Sequence, residues 1–117
     1  MPTFILTLIL LLGPPRLDGL MTHYDWCDSR ACVFRSGEAF RLDAPYCAVD
    51  DALWDELEGA RLYVQAGTRM FSCTVADTGW LSEAGRYDGR PFVLDLPAEF
   101  FRLVTGGEDT QEVRVWR

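Results

Sequence analysis

The chain has 117 residues, of which 49% are hydrophobic and 25% charged, so its length suits one small globular domain and excludes a second independent core. Eighteen acidic residues against eleven basic ones give a formal net charge of −7. Because a surface of this sign repels a phosphate backbone, the composition disfavours nucleic-acid binding.

An apolar run from Phe4 to Leu12 opens the chain. It is too short to span a bilayer, which takes about 20 residues, but it matches the hydrophobic region of a secretory signal. No Lys or Arg precedes it and no A-x-A cleavage site follows before Met21, so an uncleaved apolar arm and a true start at Met21 stay open as alternatives. We predict a signal-like or hydrophobic segment over residues 1–20 and one domain over 21–117.

Short strands separated by turn residues follow, interrupted by two short helices. Alternating apolar and polar residues predict the strands, at 61–65, 71–76, 92–94 and 113–116. The helices are predicted over 52–57, capped by Asp50 or Asp51, and over 97–103, begun by Pro97. Both are too short to be stable alone and must pack on the sheet. The pattern indicates a mainly β barrel.

Four cysteines, Cys27, Cys32, Cys47 and Cys73, suit the disulfide framework of an exported protein. Their spacing is poor for zinc, and we predict neither a metal nor a cofactor. Cys47 could pair with Cys73 of the predicted strand 71–76, which would leave Cys27 with Cys32. The two other connectivities stay open.

Several kinds of catalytic chemistry are disfavoured by what the sequence lacks. His23 is the only histidine, and no G-x-S-x-G turn is present, which disfavours a serine hydrolase. No glycine-rich phosphate loop of the P-loop or Rossmann form is present either, which disfavours nucleotide chemistry. A single histidine beside aromatic residues is more typical of a structural or exposed side chain.

Asp77 follows an apolar strand, where the chain leaves the sheet. Partial burial there would raise the pKa of its carboxyl, as a general acid requires near neutral pH. The alternative is an Asx-turn, in which Asp77 bonds the backbone and Gly79 makes the bend. Asp95 stands just ahead of the second helix, and we expect it to order that junction rather than to react.

Asp25 lies among aromatic residues that could stack on sugar rings, with Tyr24 and Trp26 beside it and Trp80 further along the chain. The alternative is that these rings fill a small core.

Five segments, in order, resemble the double-psi β-barrel of the rare-lipoprotein-A-like and expansin-like group. They are Thr22-His23-Tyr24, Ser36-Gly37-Glu38-Ala39-Phe40, Tyr46-Cys47-Ala48-Val49, Cys73-Thr74-Val75-Ala76-Asp77-Thr78-Gly79 and Val93-Leu94-Asp95-Leu96-Pro97-Ala98-Glu99-Phe100-Phe101, followed by a closing V-x-V. The resemblance implies a mainly β, six-stranded double-psi β-barrel with two short helices and a glycan-binding groove over one face.

The resemblance also implies roles for individual residues. In lytic transglycosylases with this barrel, the Asp of the D-x-G motif, here Asp77, is first the acid and then the base that cleaves peptidoglycan. Asp25 resembles, one position out of register, the second carboxylate of related endoglucanases. The glycan would contact Tyr24, Trp26, Thr78 and Trp80.

We therefore predict an exported, periplasmic or secreted glycan-binding protein of the cell envelope, with peptidoglycan or another polysaccharide as its partner. Cleavage as a lytic transglycosylase is one form of this hypothesis. The alternative is a non-catalytic, expansin-like or structural module of a larger assembly, such as a phage particle, with protein partners. A hydrolase of the endoglucanase type would require Asp25 and Asp77 to face one groove.

Overall fold

The structure is a computed structural model that describes residues 13–27, 31–79, 81, 86–87 and 89–117. The strands in these residues are β1 (Leu17–Tyr24), β2 (Tyr46–Asp50), β3 (Arg61–Ala66), β4 (Arg69–Gly79), β5 (Arg86–Tyr87), β6 (Arg90–Pro97) and β7 (Gln111–Trp116). The helices are a 3-10 turn (Asp51–Leu53), which continues into α1 (Trp54–Leu57), and α2 (Ala98–Thr105).

Six of these strands form a closed barrel. They are hydrogen-bonded in the order β1-β7-β3-β4-β2-β6, and a pairing of β6 with β1 closes the ring. The β1–β6 and β2–β4 pairs are parallel, whereas the others are antiparallel. β5 pairs only with β6, as a short hairpin at the edge. The prediction of a mainly β, six-stranded barrel with two short helices is confirmed.

The barrel begins earlier in the chain than the sequence pattern indicated. β1 starts at Leu17, before the predicted boundary at Met21, and Leu17 pairs with Val115 on β7. The indole Nε1 of Trp116 also donates to the carbonyl of Gly13 at 3.0 Å. The first strand of the barrel therefore includes the end of segment 1–20. The apolar run before Gly13 lies outside the described residues, and its role stays a prediction.

The helices begin and end close to the residues predicted from the sequence, except that the second helix starts one residue later. The side chain of Asp50 accepts from the N–H of Ala52 and caps the 3-10 turn. Pro97 has extended backbone angles and is the N-cap of α2 rather than its first helical residue. Gly106 ends α2 with a φ of 80°, a left-handed conformation that glycine adopts without strain.

Alternate residues of the barrel strands point inward and form the main apolar core, which the helices complete. Its members include Met21, Cys47, Val49, Leu57, Leu62, Val64, Cys73, Val75, Leu94, Leu96, Phe100, Phe101, Val113 and Val115. Burial of side chains of this size contributes roughly 1.5–3 kcal/mol each to the free energy of unfolding. The core therefore accounts for the interior of the barrel, and any site lies on its outer face.

Of the three disulfide connectivities that the sequence leaves open, the structure contains one. Cys47 of β2 is joined to Cys73 of β4 inside the core, and Cys27 is joined to Cys32 outside the barrel. Disulfides of this kind are typical of proteins in oxidising compartments. Their presence is consistent with an extracellular location.

Closure of the barrel requires a close approach of two strands at Gly19. A Cβ atom at this position would lie 2.4 Å from the carbonyl oxygen of Pro91 and 2.9 Å from Cγ1 of Val93, both on β6. These distances are shorter than any ordinary contact, so only glycine fits where β1 lies against β6.

Candidate functional site

A second, smaller apolar cluster lies outside the barrel, beneath residues 31–45, which we call the covering segment. Phe34 and Ala44 of this segment are buried against Ala76 of β4. The ring of Phe34 lies 5.2 Å from that of Phe40 and 5.2 Å from that of Tyr46. The covering segment thus forms a wall on the outer face, beside the end of β4.

A register shift decides on which face Asp77 lies. Cys47 of β2 pairs with Val75 of β4, but the next residue, Ala48, pairs with Asp77 and leaves Ala76 as an extra residue. Strict alternation after Val75 would direct Asp77 inward. Because one residue is inserted, as in a β-bulge, Asp77 instead shares the outer face with Ala48.

Two carboxyl groups consequently lie on either side of one small residue. Ala48 pairs with Asp77 on β4 and with Asp95 on β6, so the three residues form a row across three strands. Neighbouring strands are about 4.8 Å apart, which places the two aspartate backbones roughly 10 Å apart. Since Ala48 has only a methyl group, the space between the two carboxyl groups stays open.

Both oxygens of Asp77 accept hydrogen bonds. The hydroxyl of Tyr24 donates to Oδ2 at 2.9 Å, and the backbone N–H of Arg35 donates to Oδ1 at 3.1 Å. The pKa of Tyr24 is raised by burial first and by the nearby charge of Asp77 second, so Tyr24 keeps its proton and acts as a donor. The carboxyl of Asp77 is therefore held in one orientation by β1 and the covering segment.

Asp95 has a different environment. Its Oδ1 is buried and has no hydrogen-bond partner among the described residues. Burial raises the pKa of this carboxyl to about 7, a backbone hydrogen bond from Leu96 opposes the rise, and the charge of Asp77 adds to it. Asp95 is thus a carboxyl group that can hold or release a proton near neutral pH.

Arg35 adds a positive charge to the rim of this region. Its guanidinium forms an ion pair with Asp51 and donates to Oγ1 of Thr78 at 3.3 Å. The guanidinium carbon also lies 4.9 Å from the ring centroid of Trp54, a distance typical of a cation–π contact. Arg35 therefore holds the covering segment against the end of β4 and the 3-10 turn.

These groups surround one cavity of about 120 Å³, which we call the aspartate cavity. Its lining includes Tyr24, Trp26, Cys27, Val33, Phe40, Ala48, Asp77, Thr78 and Asp95. The indole of Trp26 is 63% exposed at its mouth, so its face is free to contact a ligand. The cavity thus combines an exposed aromatic face, the hydroxyls of Tyr24 and Thr78, and two carboxyl groups.

Four of the predicted site residues meet in this cavity: Tyr24, Trp26, Asp77 and Thr78. Asp25 is exposed and is not part of the lining, so the structure does not bring it together with Asp77. Trp80 lies outside the described residues. Tyr24 is in part a core residue, packed 5.7 Å from the ring of Phe40, whereas Trp26 is not.

The single histidine is used in packing. The ring of His23 lies 4.7 Å from that of Phe101 on α2, and its Nε2 is 2.9 Å from the carbonyl of Glu108. In the described part of the chain, no three His, Cys, Asp or Glu side chains are grouped so that they could hold a metal ion. No helix within the same residues has the length and apolar character needed to cross a membrane.

Sequence reasoning missed two members of this site. Asp95 was expected to order the junction with α2, yet that helix begins without a side-chain cap, and Asp95 lines the cavity instead. The available signal was a single carboxyl group within the apolar strand Val93–Pro97. Arg35 had no signal, because its contacts depend on how the covering segment folds back.

Comparison with known proteins identifies the fold. The chain is similar to the crystal structure of an apo expansin from Clavibacter michiganensis, with a TM-score of 0.57 and 22% sequence identity. The match covers 84% of this chain and 48% of that one, so the chain spans about half the length of the expansin. The predicted resemblance to an expansin-like double-psi β-barrel is confirmed for the fold. No protein-family model and no curated protein matches the sequence.

Proposed function

We propose that the protein is an exported glycan-binding protein that holds a polysaccharide chain of the cell envelope in the aspartate cavity. The observation that supports it most directly is the exposed indole of Trp26 beside the carboxyl groups of Asp77 and Asp95. An aromatic face stacks on the apolar face of a sugar ring, while carboxylates accept from its hydroxyl groups. The expansin-like fold and the two disulfides support the same proposal.

Charge is compatible with this partner. A glycan strand is polar and mostly uncharged along its faces, so a net charge of −7 does not oppose binding. The same negative charge disfavours the binding of anionic wall polymers. Export is supported by the disulfides and by the apolar run before Gly13, and peptidoglycan is the polysaccharide proposed.

Cleavage of the glycan is a second candidate function, favoured by the environment of Asp95. In a lytic transglycosylase a carboxylic acid protonates the glycosidic oxygen as its bond to C1 breaks. The 6-hydroxyl of the muramic ring then attacks C1, and the same carboxylate takes the hydroxyl proton. Asp95 has a pKa of about 7, which suits it to hold and then release a proton, and its buried Oδ1 has no hydrogen-bond partner among the described residues, whereas Asp77 accepts from Tyr24 and Arg35.

The binding test uses the full chain with its disulfides intact. The protein is incubated with purified peptidoglycan and, separately, with cellulose, and the bound fraction is measured after sedimentation. Trp26→Ala is expected to weaken binding about tenfold, because the stacking face is lost. Tyr63→Ala is the matched control, since Tyr63 is an exposed aromatic residue on β3 and lies outside the cavity lining.

Equal binding by Trp26→Ala and the wild type, or no binding to either polymer, would contradict the glycan proposal. The latter result would favour the alternative of a structural module within a protein assembly.

The cleavage test examines the products of the peptidoglycan incubation by mass spectrometry. Products with 1,6-anhydro ends establish a lytic transglycosylase, and ordinary reducing ends establish hydrolysis. Asp95→Asn and Asp77→Asn are compared with the wild type. If Asp95→Asn still binds but no longer forms anhydro products, Asp95 carries out the proton transfers. If only Asp77→Asn loses these products, Asp77 carries them out. Binding without any product identifies a non-catalytic, expansin-like module.

A further inference from the structure

A larger cavity of about 440 Å³ lies on another part of the barrel surface, and we call it the glutamine cavity. It shares no lining residue with the aspartate cavity. Gln65 of β3 pairs with Arg114 of β7, which in turn pairs with Asp18 of β1. These three side chains therefore project from the same outer face of the sheet, opposite the core side chains of their strands.

Gln65 is the unusual residue of this surface. It is only 6% exposed, although its neighbours on the same face, Asp18 and Arg114, are exposed. Its Nε2 donates to the carbonyl of Gly67 at 3.2 Å, whereas its Oε1 is buried with no partner among the described residues. Exchanging the amide oxygen and nitrogen would face one oxygen with another at Gly67, so the free atom is the acceptor.

Arg90 supplies an unpaired donor on the same lining. Its two terminal nitrogens are engaged, one with Asp18 and the other with Glu112 at 3.6 Å. Its Nε is buried and has no hydrogen-bond partner among the described residues. A buried polar atom without a partner is costly, and these two atoms belong to side chains that line the same cavity. A ligand toward which both side chains turn would satisfy the acceptor and the donor together.

The chemistry of the lining narrows the class of ligand. A hydroxyl group donates and accepts, so adjacent hydroxyls can satisfy Gln65 Oε1 and Arg90 Nε together. The charged side chains are two carboxylates, from Asp18 and Glu112, and two guanidiniums, from Arg90 and Arg114, so their formal charges cancel. A charged ligand gains little from such a lining, and a volume of about 440 Å³ lies within the range of small-molecule sites.

We propose that the glutamine cavity is a second binding site, which takes a neutral, polyhydroxylated small molecule, a mono- or disaccharide, through Gln65 Oε1 and Arg90 Nε. The proposal goes beyond glycan binding at the aspartate cavity and does not depend on it, because the two sites have separate residues.

The test is a titration of the full, oxidised, ¹⁵N-labelled protein with glucose and with cellobiose, followed by NMR. Saturable shifts are expected at the Gln65 side-chain amide and at the backbone amides of Gly67 and Val113. Glucuronate and glucosamine serve as the charged comparators and are expected to bind more weakly.

Two variants remove the two free atoms. Gln65→Leu keeps the size of the side chain and removes the acceptor, and Arg90→Lys keeps the positive charge and removes Nε. Gln65→Leu is expected to raise the Kd about fivefold, the effect of one neutral hydrogen bond, and Arg90→Lys about tenfold or more, because the guanidinium N–H carries positive charge. Asp95→Asn is the control for the other cavity and should leave these shifts unchanged.

Several results would overturn the proposal. These are the absence of shifts around Gln65 with both neutral sugars, unchanged affinity in both variants, and tighter binding of glucuronate or glucosamine. Shifts confined to the amides around Asp77 and Asp95 would refute the second site while supporting the aspartate cavity. If Gln65→Leu lost the chemical-shift dispersion of a folded protein, the affinity of Arg90→Lys alone would test the proposal.

Discussion

Neighbouring residues of β2 face the interior and the outer surface of the barrel in turn, and the two faces differ in packing, polarity and charge. Cys47 and Val49 point into a close-packed apolar core that contains a disulfide. Ala48, between them, points outward to a row with two carboxyl groups. The inner face stabilises the fold, whereas the outer face holds a buried, unpaired carboxyl oxygen that costs stability. The outer face of β2 therefore contributes less to the stability of the fold than the inner face does.

The largest expected effect concerns Asp95. The folded state raises the pKa of this carboxyl from 3.8 to about 7, so the folded protein holds a proton that the unfolded chain releases between these values. Stability is therefore lost as pH rises from about 4 to about 7, by up to about 4 kcal/mol. We expect Asp95→Asn to increase the free energy of unfolding above about pH 8 and to change it little below about pH 4.

Urea unfolding at the two pH values measures this difference. Asp25→Asn removes an exposed carboxyl group and is the control, with little expected change at either pH. An equal effect of Asp95→Asn at both pH values would show that Asp95 is not protonated by burial.

The two disulfides, one inside the core and one outside the barrel, test the same comparison of the inner and outer faces. Cys47–Cys73 spans 26 residues within the core, so Cys47→Ala combined with Cys73→Ala is expected to lower the free energy of unfolding by about 3.5 kcal/mol. Cys27–Cys32 spans 5 residues, for which the same chain-entropy argument gives about 2 kcal/mol. Chemical denaturation of the two double variants measures both values.

Glycan binding should respond in the opposite order. Cys27 lines the aspartate cavity, so removal of the Cys27–Cys32 disulfide is expected to weaken binding. The core variant should bind normally wherever it is folded. If the Cys47/Cys73 variant lost glycan binding and the Cys27/Cys32 variant kept it, the covering segment would not contribute to the binding site.

Gly19→Ala tests the contact that closes the barrel. The added methyl group would overlap the carbonyl of Pro91, and we expect a loss of about 1–3 kcal/mol from overpacking. Gly107→Ala is the matched control, because a Cβ there meets nothing within 4 Å. Thermal unfolding compares the two, and equal melting temperatures would mean that β1 and β6 can separate without cost.

The smallest expected effect is that of Tyr24→Phe, which removes one donor from Asp77. A loss of about 1–2 kcal/mol is expected, since the bond is partly buried and its acceptor is a carboxyl group. Tyr46→Phe removes a hydroxyl that donates to Glu38 at an exposed position, and it should cost less than about 0.5 kcal/mol. If the two variants were equally stable, the Tyr24 hydroxyl would not be needed to hold Asp77.

Alternating residues predict four of the six barrel strands, β3, β4, β6 and β7, and a mainly β barrel. The number of six strands comes from the resemblance to a known barrel, since no pattern predicts β1. The sequence also places Tyr24, Trp26, Asp77 and Thr78 near one another through the resemblance to a known barrel. The face on which Asp77 lies is not predictable, because it depends on how β4 pairs with β2. Asp95 and Arg35 depend on the same long-range pairing and on the path of the covering segment, neither of which local patterns describe.

The extra residue at Ala76 has a consequence for how such a site can be inherited. The bulge lets two consecutive residues of β4, Ala76 and Asp77, both face outward, so that Ala76 packs under the covering segment and Asp77 lies opposite Ala48. Loss of the single codon for Ala76 would restore strict alternation and leave Asp77 opposite Ala48 on the outer face, but it would remove the side chain that packs against Phe34 and Ala44. Among descendants of such a barrel, a one-residue deletion at this point would therefore keep the carboxyl pair while weakening the contact between β4 and the covering segment.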